Sequence, residues 1–339
     1  MNISEVVVAQ AARRFGTDIS RLHLLGGMDG LAYAFERDGQ GYVLKVAPLP
    51  AGRPGYPPRM AEKFDFVDYL AENGVRVARP VRSANGSWVE QVESPEGSYV
   101  VSAARRAPGH HLNGRDPQVR GAKRDPAEAN TTLYQKWGQV TGKMHALAKQ
   151  YKTWRCDLTG EESHTCIMDC KEEYQSFYDW CEDAAIREKW SQLGSQLELL
   201  PIERGSYGLT HNDLHPQNFL LNEGEITVLD FDVCSYHWFA ADIAIPLFFA
   251  NWLGAPSSKP ARRAYLAGFL RDFMDGYRRE NSLEPTWIER LPLFLKHHQI
   301  LLYIVFSHEW AGKPNPWQVK TLKNWRQNII NDVPVVDFL

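Results

Sequence analysis

The chain has 339 residues, 44% of them hydrophobic, enough to bury a sizeable core and to exclude a disordered chain. Lysine plus arginine (38) nearly balances aspartate plus glutamate (41), and the formal charge of -3 draws the chain toward neither nucleic acid nor an anionic membrane. No signal peptide is readable at the N-terminus, and the longest apolar stretch, residues 239–250, is interrupted by Asp242 and Pro246 and is too short for a bilayer, so a cytoplasmic protein with no nucleic-acid or membrane partner is expected.

Residues 5–15 read as a short helix stopped by Gly16. Strand-like runs follow at 22–25, 31–37 and 42–47. A glycine turn, Gly26-Gly27-Met28-Asp29-Gly30, joins the first two, and Asp38-Gly39 supplies the left-handed angles that a hairpin between the last two requires. Helical spacing over 58–73 ends at Gly74, the position of a left-handed C-terminal cap. Strands resume at 80–83, 87–92 and 98–104, separated by Asn85-Gly86 and by Ser94-Pro95-Glu96-Gly97. Residues 105–125 are rich in Arg, Gly, Pro and His and read as a connector; Arg105 and Arg106 read as its solvated charges or, alternatively, as groups that steer a ligand.

Asp125-Pro126-Ala127-Glu128 predicts a capped helix start, and the helix should run to about residue 150. Further helices are expected at 169–199, 260–281, 285–307 and 315–331, with a hairpin over 219–229 turning at Asn222-Glu223-Gly224. The five cysteines are an odd set that fits reduced thiols. Cys156, Cys166, Cys170 and Cys181 cluster with His164, but no Cys-x-x-Cys pair exists, so packing and not zinc is expected.

The densest group of catalytic residue types is His211-Asn212-Asp213-Leu214-His215-Pro216-Gln217-Asn218, followed across the hairpin by Asp230-Phe231-Asp232. Antiparallel pairing brings Asn218 beside Asp230 at the open end, where an amide oxygen and a carboxylate can share one divalent cation. Phosphoryl transfer needs such a cation to neutralise a triphosphate, and Asp213 supplies a second carboxylate able to accept or orient the proton of an attacking hydroxyl.

The pattern His-x-Asp-x-x-x-x-Asn, then an aspartate after an apolar strand, resembles the catalytic and metal loops of the protein-kinase-like fold. With Asp213-Leu-His-Pro-x-Asn218 and Asp230-Phe-Asp232, it is similar to the aminoglycoside phosphotransferase family, which includes choline, homoserine, fructosamine and hydroxylysine kinases. The likeness runs from the glycine turn and Val43-Leu44-Lys45-Val46 through Gly138-x-x-x-Gly142-x-x-His145 to Asp242-Ile243-Ala244.

The resemblance implies an α+β bilobal fold: residues 1–104 as an antiparallel sheet lobe with a helix, 105–125 as a hinge, and 126–339 as a mainly helical catalytic and substrate lobe. It implies a kinase using Mg2+ and ATP, or GTP, on a hydroxyl of a small, amine-bearing molecule. Asp213 would be the base and Asn218 and Asp230 the metal ligands. Gly27, Gly30, Lys45 and the backbone at Ala104 would hold the nucleotide, with Glu62, or alternatively Asp65, pairing with Lys45. His211 and Asp242 would organise the loop. Asp232 is either a further metal contact or a solvent-facing strand end. For the substrate, His237, Trp238, Glu309 and Trp310 combine aromatic faces with polar groups. Two rivals are a protein serine/threonine kinase, against which the missing Ala-Pro-Glu closure counts, and a pseudokinase, against which the complete catalytic set counts.

Overall fold

The computed structural model of the chain describes residues 3–27, 30–50, 55–112, 126–151 and 167–339, and the side chains of all of these except 126–130. The expected cap Asp125, the cysteines Cys156 and Cys166, Met28 and Asp29 of the glycine turn, and most of the connector lie outside the described residues. Among the described residues, one compact unit takes those up to His110 together with Ile167 and Leu220–Asp232, and the other takes the rest.

The first unit is built on a six-stranded antiparallel sheet in the order β1-β2-β3-β6-β4, with β5 also paired to β6. Its strands are β1 (His23–Gly26), β2 (Leu31–Arg37), β3 (Gln40–Pro48), β4 (Pro80–Val81), β5 (Val89–Ser94) and β6 (Gly97–Arg105). The β2–β3 hairpin turns at Asp38 and Gly39, with φ of 53° and 73°. Alternation along β3 sorts its residues: Tyr42, Leu44 and Val46 are buried with α1 (Glu5–Arg14), whose Val7, Val8 and Ala11 close that face. The same alternation turns Lys45 to the opposite face. There α2 (Tyr56–Glu72) supplies Lys63, and Gly74, with φ of 78°, ends the helical stretch.

The hairpin β8 (Phe219–Asn222) and β9 (Glu225–Val228) turns through Glu223 and Gly224, both at positive φ, and belongs almost wholly to this first unit. It is tied there by backbone pairs: Ala78 N–H donates to Val228 O (2.9 Å), and His110 and Leu221 exchange hydrogen bonds of 3.1 and 2.9 Å. Gly109 permits the second contact, because a Cβ there would stand 2.6 Å from the Leu221 carbonyl oxygen.

The second unit is mainly helical: α3 (Pro126–Ala148), α4 (Cys170–Trp180), α5 (Ala184–Leu197), α6 (Phe239–Phe249), α7 (Lys259–Tyr277), α8 (Pro285–Glu289), α9 (Leu291–Glu309) and α10 (Pro316–Ile330). Two expected helices are divided. Residues 169–199 form α4 and α5, because Asp183 accepts from Ala185 N–H and Ile186 N–H and so starts a new helix. Residues 285–309 form α8 and α9, parted at Arg290 where Pro292 enters the first turn of α9. A short antiparallel ribbon of β7 (Tyr207–Thr210) and β10 (Ser235–Trp238) leads directly into α6, every residue of which is buried. No helix among the described residues is long and apolar enough to cross a membrane.

Candidate active site

The loop His211–Asn218 leaves β7, and the β7–β10 ribbon puts the first turn of α6 against it. Asp242 accepts from His211 N–H (3.0 Å, Oδ2) and from Asn212 N–H (2.7 Å, Oδ1). Asn212 itself takes a left-handed φ of 65°, a conformation that asparagine tolerates better than most side chains.

Behind Asp242 runs a buried relay. Lys149 donates to Asn281 (2.7 Å) and Asn281 to the Tyr277 hydroxyl (2.7 Å); Tyr277 and Asp242 then meet the two ring nitrogens of His145 at 2.9 and 3.0 Å. Burial alone would raise the Asp242 carboxyl, but the hydrogen bond and charge of His145, with His211, hold it below the usual carboxylate range. Burial pushes His145 down, against the pull of Asp242. Both groups have no exposed surface. His145 reaches this place because α3 lies on α7 with no side chain between the backbones. A Cβ on Gly138 would stand 1.8 Å from the Phe273 carbonyl oxygen, and one on Gly142 would stand 2.5 Å from that of Tyr277.

Asp213 is held differently. The Asn218 amide donates to its backbone oxygen (2.8 Å) and to Oδ2 (2.9 Å), and His215 Nε2 lies 3.5 Å from the same carboxylate. About a third of the side chain, 31%, remains exposed. Because Asn218 uses only its NH2 group in these bonds, its carbonyl oxygen stays available as an acceptor.

In the first unit, Lys45 meets the carboxylates of Asp232 and of Asp230, the latter at 3.8 Å. Burial works against the Lys45 ammonium, but Asp232 and Asp230 outweigh it and raise its pKa above the ordinary value. Asp230 adopts φ of 55°, and its Oδ1 accepts from Asp232 N–H at 3.4 Å. Lys63, buried on α2, donates to the Asp232 backbone oxygen. Gly27 and Gly30 belong to a turn that side chains would obstruct: a Cβ on Gly27 would meet Gly30 O at 2.0 Å, and one on Gly30 would meet Val46 O at 2.6 Å. Ala104 sits half-buried on β6, paired with Val43 and Pro80.

The remaining candidates are placed as follows. Glu62 is half-buried on α2, one residue before Lys63. Asp65, the alternative partner for Lys45, instead accepts from Trp88 Nε1 (2.6 Å) and lies 3.8 Å from Arg82. His237 and Trp238, expected at the substrate, are corrected by their burial: His237 is 0% and Trp238 3% exposed, both lie on β10, and the indole donates to Pro201 O. A strand buried on both faces has no side free for a ligand. Glu309 is exposed at the end of α9, and Trp310 is half-buried and stacked on Phe306 at 4.3 Å.

His237 does join a buried trio with Glu173 and His297 whose donor atoms lie within 4.8 Å of one another. One of its nitrogens, His237 Nε2, has no hydrogen-bond partner among the described residues. Burial lowers His237 to about 4, so the ring is neutral near pH 7, and its Nδ1 accepts from Trp238 N–H at 2.9 Å. The proton then resides on Nε2, which closes that nitrogen to a metal. Glu173 meanwhile accepts from Asn212 Nδ2 and from Ser235 Oγ (3.3 Å), bracing the loop from a second side.

Glu173 and Lys63 were missed in the sequence, since a buried acid or lysine looks locally like any solvated helix charge. The Asp169 capping box with Glu172 marks where α4 starts, and hence which turn Glu173 occupies; for Lys63 no local signal exists.

The profile of the Phosphotransferase enzyme family matches residues 21–283. The amicoumacin kinase of Bacillus subtilis (strain 168) is 30% identical over 342 residues, covering 98% of this chain and 94% of that protein. A solved amicoumacin kinase, hAmiN, in complex with AMP-PNP, Ca2+ and Ami, superposes with a TM-score of 0.85 at 26% identity, covering 100% of this chain and 96% of that one. A microcompartment-associated aminopropanol kinase shares the fold, with a TM-score of 0.71 at 17% identity over 96% of this chain and 95% of that one. The chain therefore belongs to the phosphotransferase enzyme family, as a small-molecule kinase on the protein-kinase-like fold.

Proposed function

We propose that this enzyme moves the γ-phosphoryl group of ATP or GTP onto a hydroxyl of a small, amine-bearing molecule in the cytoplasm. The observation that carries the reading is the Asp213 carboxylate, partly open to an acceptor, gripped by Asn218 and mounted on a loop whose amides rest on a fully buried Asp242. Asp213 accepts the hydroxyl proton while the acceptor oxygen bonds to the γ-phosphorus. The bond from that phosphorus to the bridging oxygen breaks, and its electron pair leaves with the nucleoside diphosphate.

Asn218 and Asp230, with Asp232 as a further oxygen, would hold Mg2+; an amide carbonyl and carboxylates are the hard donors that such an ion prefers. The hairpin supports this pairing, since Asn218 immediately precedes β8 and Asp230 follows β9 by two residues. When bound, the ion neutralises charge on the triphosphate. Lys45 meets the α- and β-phosphates, steadied by Glu62, while the Gly27–Gly30 turn and the backbone at Ala104 hold the rest of the nucleotide. In this reading residues 1–104 clasp the nucleotide, 105–125 connect, and 126–339 carry catalysis and acceptor binding. The relative bound to AMP-PNP and Ca2+ supports a nucleotide donor and a divalent ion.

The test is coupled release of nucleoside diphosphate across amino alcohols, aminoglycosides and sugar derivatives, with Mg2+ titrated. An acceptor that stimulates release is expected, and Asp213→Ala should lower turnover about a thousandfold with thermal unfolding unchanged. Wild-type turnover in Asp213→Ala would refute the assignment.

A further inference from the structure

Among the side chains that α2 buries stands one cation. Met60, Phe66, Val67 and Leu70 are the helix's other buried residues, and Lys63 lies with them, 5% exposed. A methionine would fill this position without taking an ammonium out of water, so packing accounts for the stem of Lys63 but not for its charge. Its Nζ donates to the backbone oxygen of Asp232, 169 residues along the chain. The helix is a firm base for that reach. Asp65 accepts from Trp88 Nε1 and Asp68 from Arg79 Nε, both at 2.6 Å, which ties α2 to the sheet.

Asp232 is thus held at each of its polar groups. Its N–H donates to Asp230 Oδ1 at 3.4 Å, its carbonyl accepts from Lys63, and its carboxylate meets Lys45. The three holds are unequal. At 3.4 Å the first is close to the limit of a hydrogen bond, whereas an ammonium is a stronger donor than a neutral group. The third is not permanent, because in the phosphotransferase reading Lys45 turns to the α- and β-phosphates when nucleotide binds. The carboxylate is then released just as the ion calls for its oxygen, and Lys63 becomes the strong anchor of the residue. Lys45, Lys63, Asp230 and Asp232 all belong to the first unit.

We infer that Lys63 is a positioning residue for phosphoryl transfer: from α2 it fixes the Asp232 carbonyl and so keeps the Asp232 carboxylate aimed at the ion once Lys45 has left it. The inference rests on the phosphotransferase reading for the presence of nucleotide and ion. Two plainer roles carry other signs. A lysine acting only as a nearby positive charge would repel the ion, so its removal would tighten metal binding. A lysine acting only as packing would move stability and leave metal affinity alone. A lysine that holds Asp232 must weaken metal binding when it is lost, since groups that orient metal ligands commonly affect affinity about 10- to 100-fold.

The test measures Mn2+ binding to the full chain by electron paramagnetic resonance, with and without AMP-PNP, in wild type, Lys63→Met and Lys63→Arg. With AMP-PNP present, Lys63→Met should bind Mn2+ about 10-fold more weakly, and Lys63→Arg, which keeps donor and charge, should recover most of that loss. Without nucleotide the difference should shrink, because Lys45 still holds Asp232. The Mg2+ concentration for half-maximal diphosphate release should rise by the same factor as the Mn2+ affinity falls, with the acceptor KM unchanged. In an Asp232→Ala background, Lys63→Met should weaken Mn2+ binding no further, since the group it positions is gone. Methionine keeps the unbranched stem and the fold is expected to stand; if thermal melting shows otherwise, Lys63→Gln takes its place and is read in the same way. Equal or tighter Mn2+ binding by Lys63→Met, or an undiminished loss in the Asp232→Ala background, would overturn the role. Mn2+ binding that follows Lys63 as stated, with no diphosphate released onto any acceptor, would support Lys63 as the holder of Asp232 while removing the kinase reading instead.

Discussion

Two aspartates of the second unit show how surroundings divide one side chain into two jobs. Asp213 is partly exposed and accepts one side-chain bond from Asn218, so its carboxylate keeps room for a substrate. Asp242 is fully buried and accepts from two loop amides and His145, so it holds the loop in place of touching substrate. The two positions should therefore fail in different ways. Asp242→Ala strands two backbone donors and an imidazole away from water, a loss of about 1–3 kcal/mol for each buried group left unsatisfied. Urea unfolding should show this large drop for Asp242→Ala and a change within about 0.5 kcal/mol for Asp213→Ala. Equal stability of the two variants would contradict the buried-support role. The two acids of Asp-Phe-Asp likewise share Lys45, so neither can be assigned to it alone.

At the scale of elements, the contact of α3 with α7 is the joint on which the support of the His211–Asn218 loop depends. Gly138→Ala places a methyl 1.8 Å from a backbone oxygen, and neither helix can yield without moving His145 away from Asp242. Gly268, on α7, makes the contrasting case, because a Cβ there meets nothing nearer than the Arg271 guanidinium at 3.8 Å. Gly138→Ala should cost more than about 3 kcal/mol or prevent folding, while Gly268→Ala should stabilise by about 0.5–1 kcal/mol through helix propensity. Thermal melts of the two variants check both signs; a Gly138→Ala protein that melts with the wild type would mean that the helices do not touch there. Legibility in the sequence follows the same line. The Asp38-Gly39 and Glu223-Gly224 turns and the alternation that sets Lys45 apart from Leu44 and Val46 are local signals, and they were readable. The β7–β10 ribbon pairs residues more than twenty positions apart, and β10 is buried on both faces, so His237 and Trp238 read as available when they are core. The burial of Lys63 likewise depends on contacts made far along the chain.

Across the molecule, the second unit's stability should depend on pH through histidines sealed among aromatic rings. His237 and His298 are buried with pKa values lowered to about 4, chiefly by loss of solvation, and His297 lies well below its ordinary value for the same reason. The His298 ring packs against Phe248 at 5.1 Å and Phe249 at 5.8 Å, surroundings that cannot solvate a cation. In the unfolded chain these rings titrate near 6.5. A base whose folded pKa is depressed is neutral in the fold while the unfolded chain binds the proton, so its stabilisation is complete above about pH 6.5 and is lost as pH falls toward about pH 4. Each fully buried ring can withdraw on the order of 3 kcal/mol across that window. Asp242, held below the usual carboxylate range, loses its contribution only as pH falls further, through its own folded pKa. Melting temperature should therefore be level above about pH 7 and decline steadily from about pH 6.5 to about pH 4.5, and His298→Gln, which cannot take up a proton, should flatten the decline. A wild-type melting temperature that stays constant down to about pH 5, or a His298→Gln curve parallel to wild type, would show that these rings are protonated at no cost and that the second unit is not sealed around them.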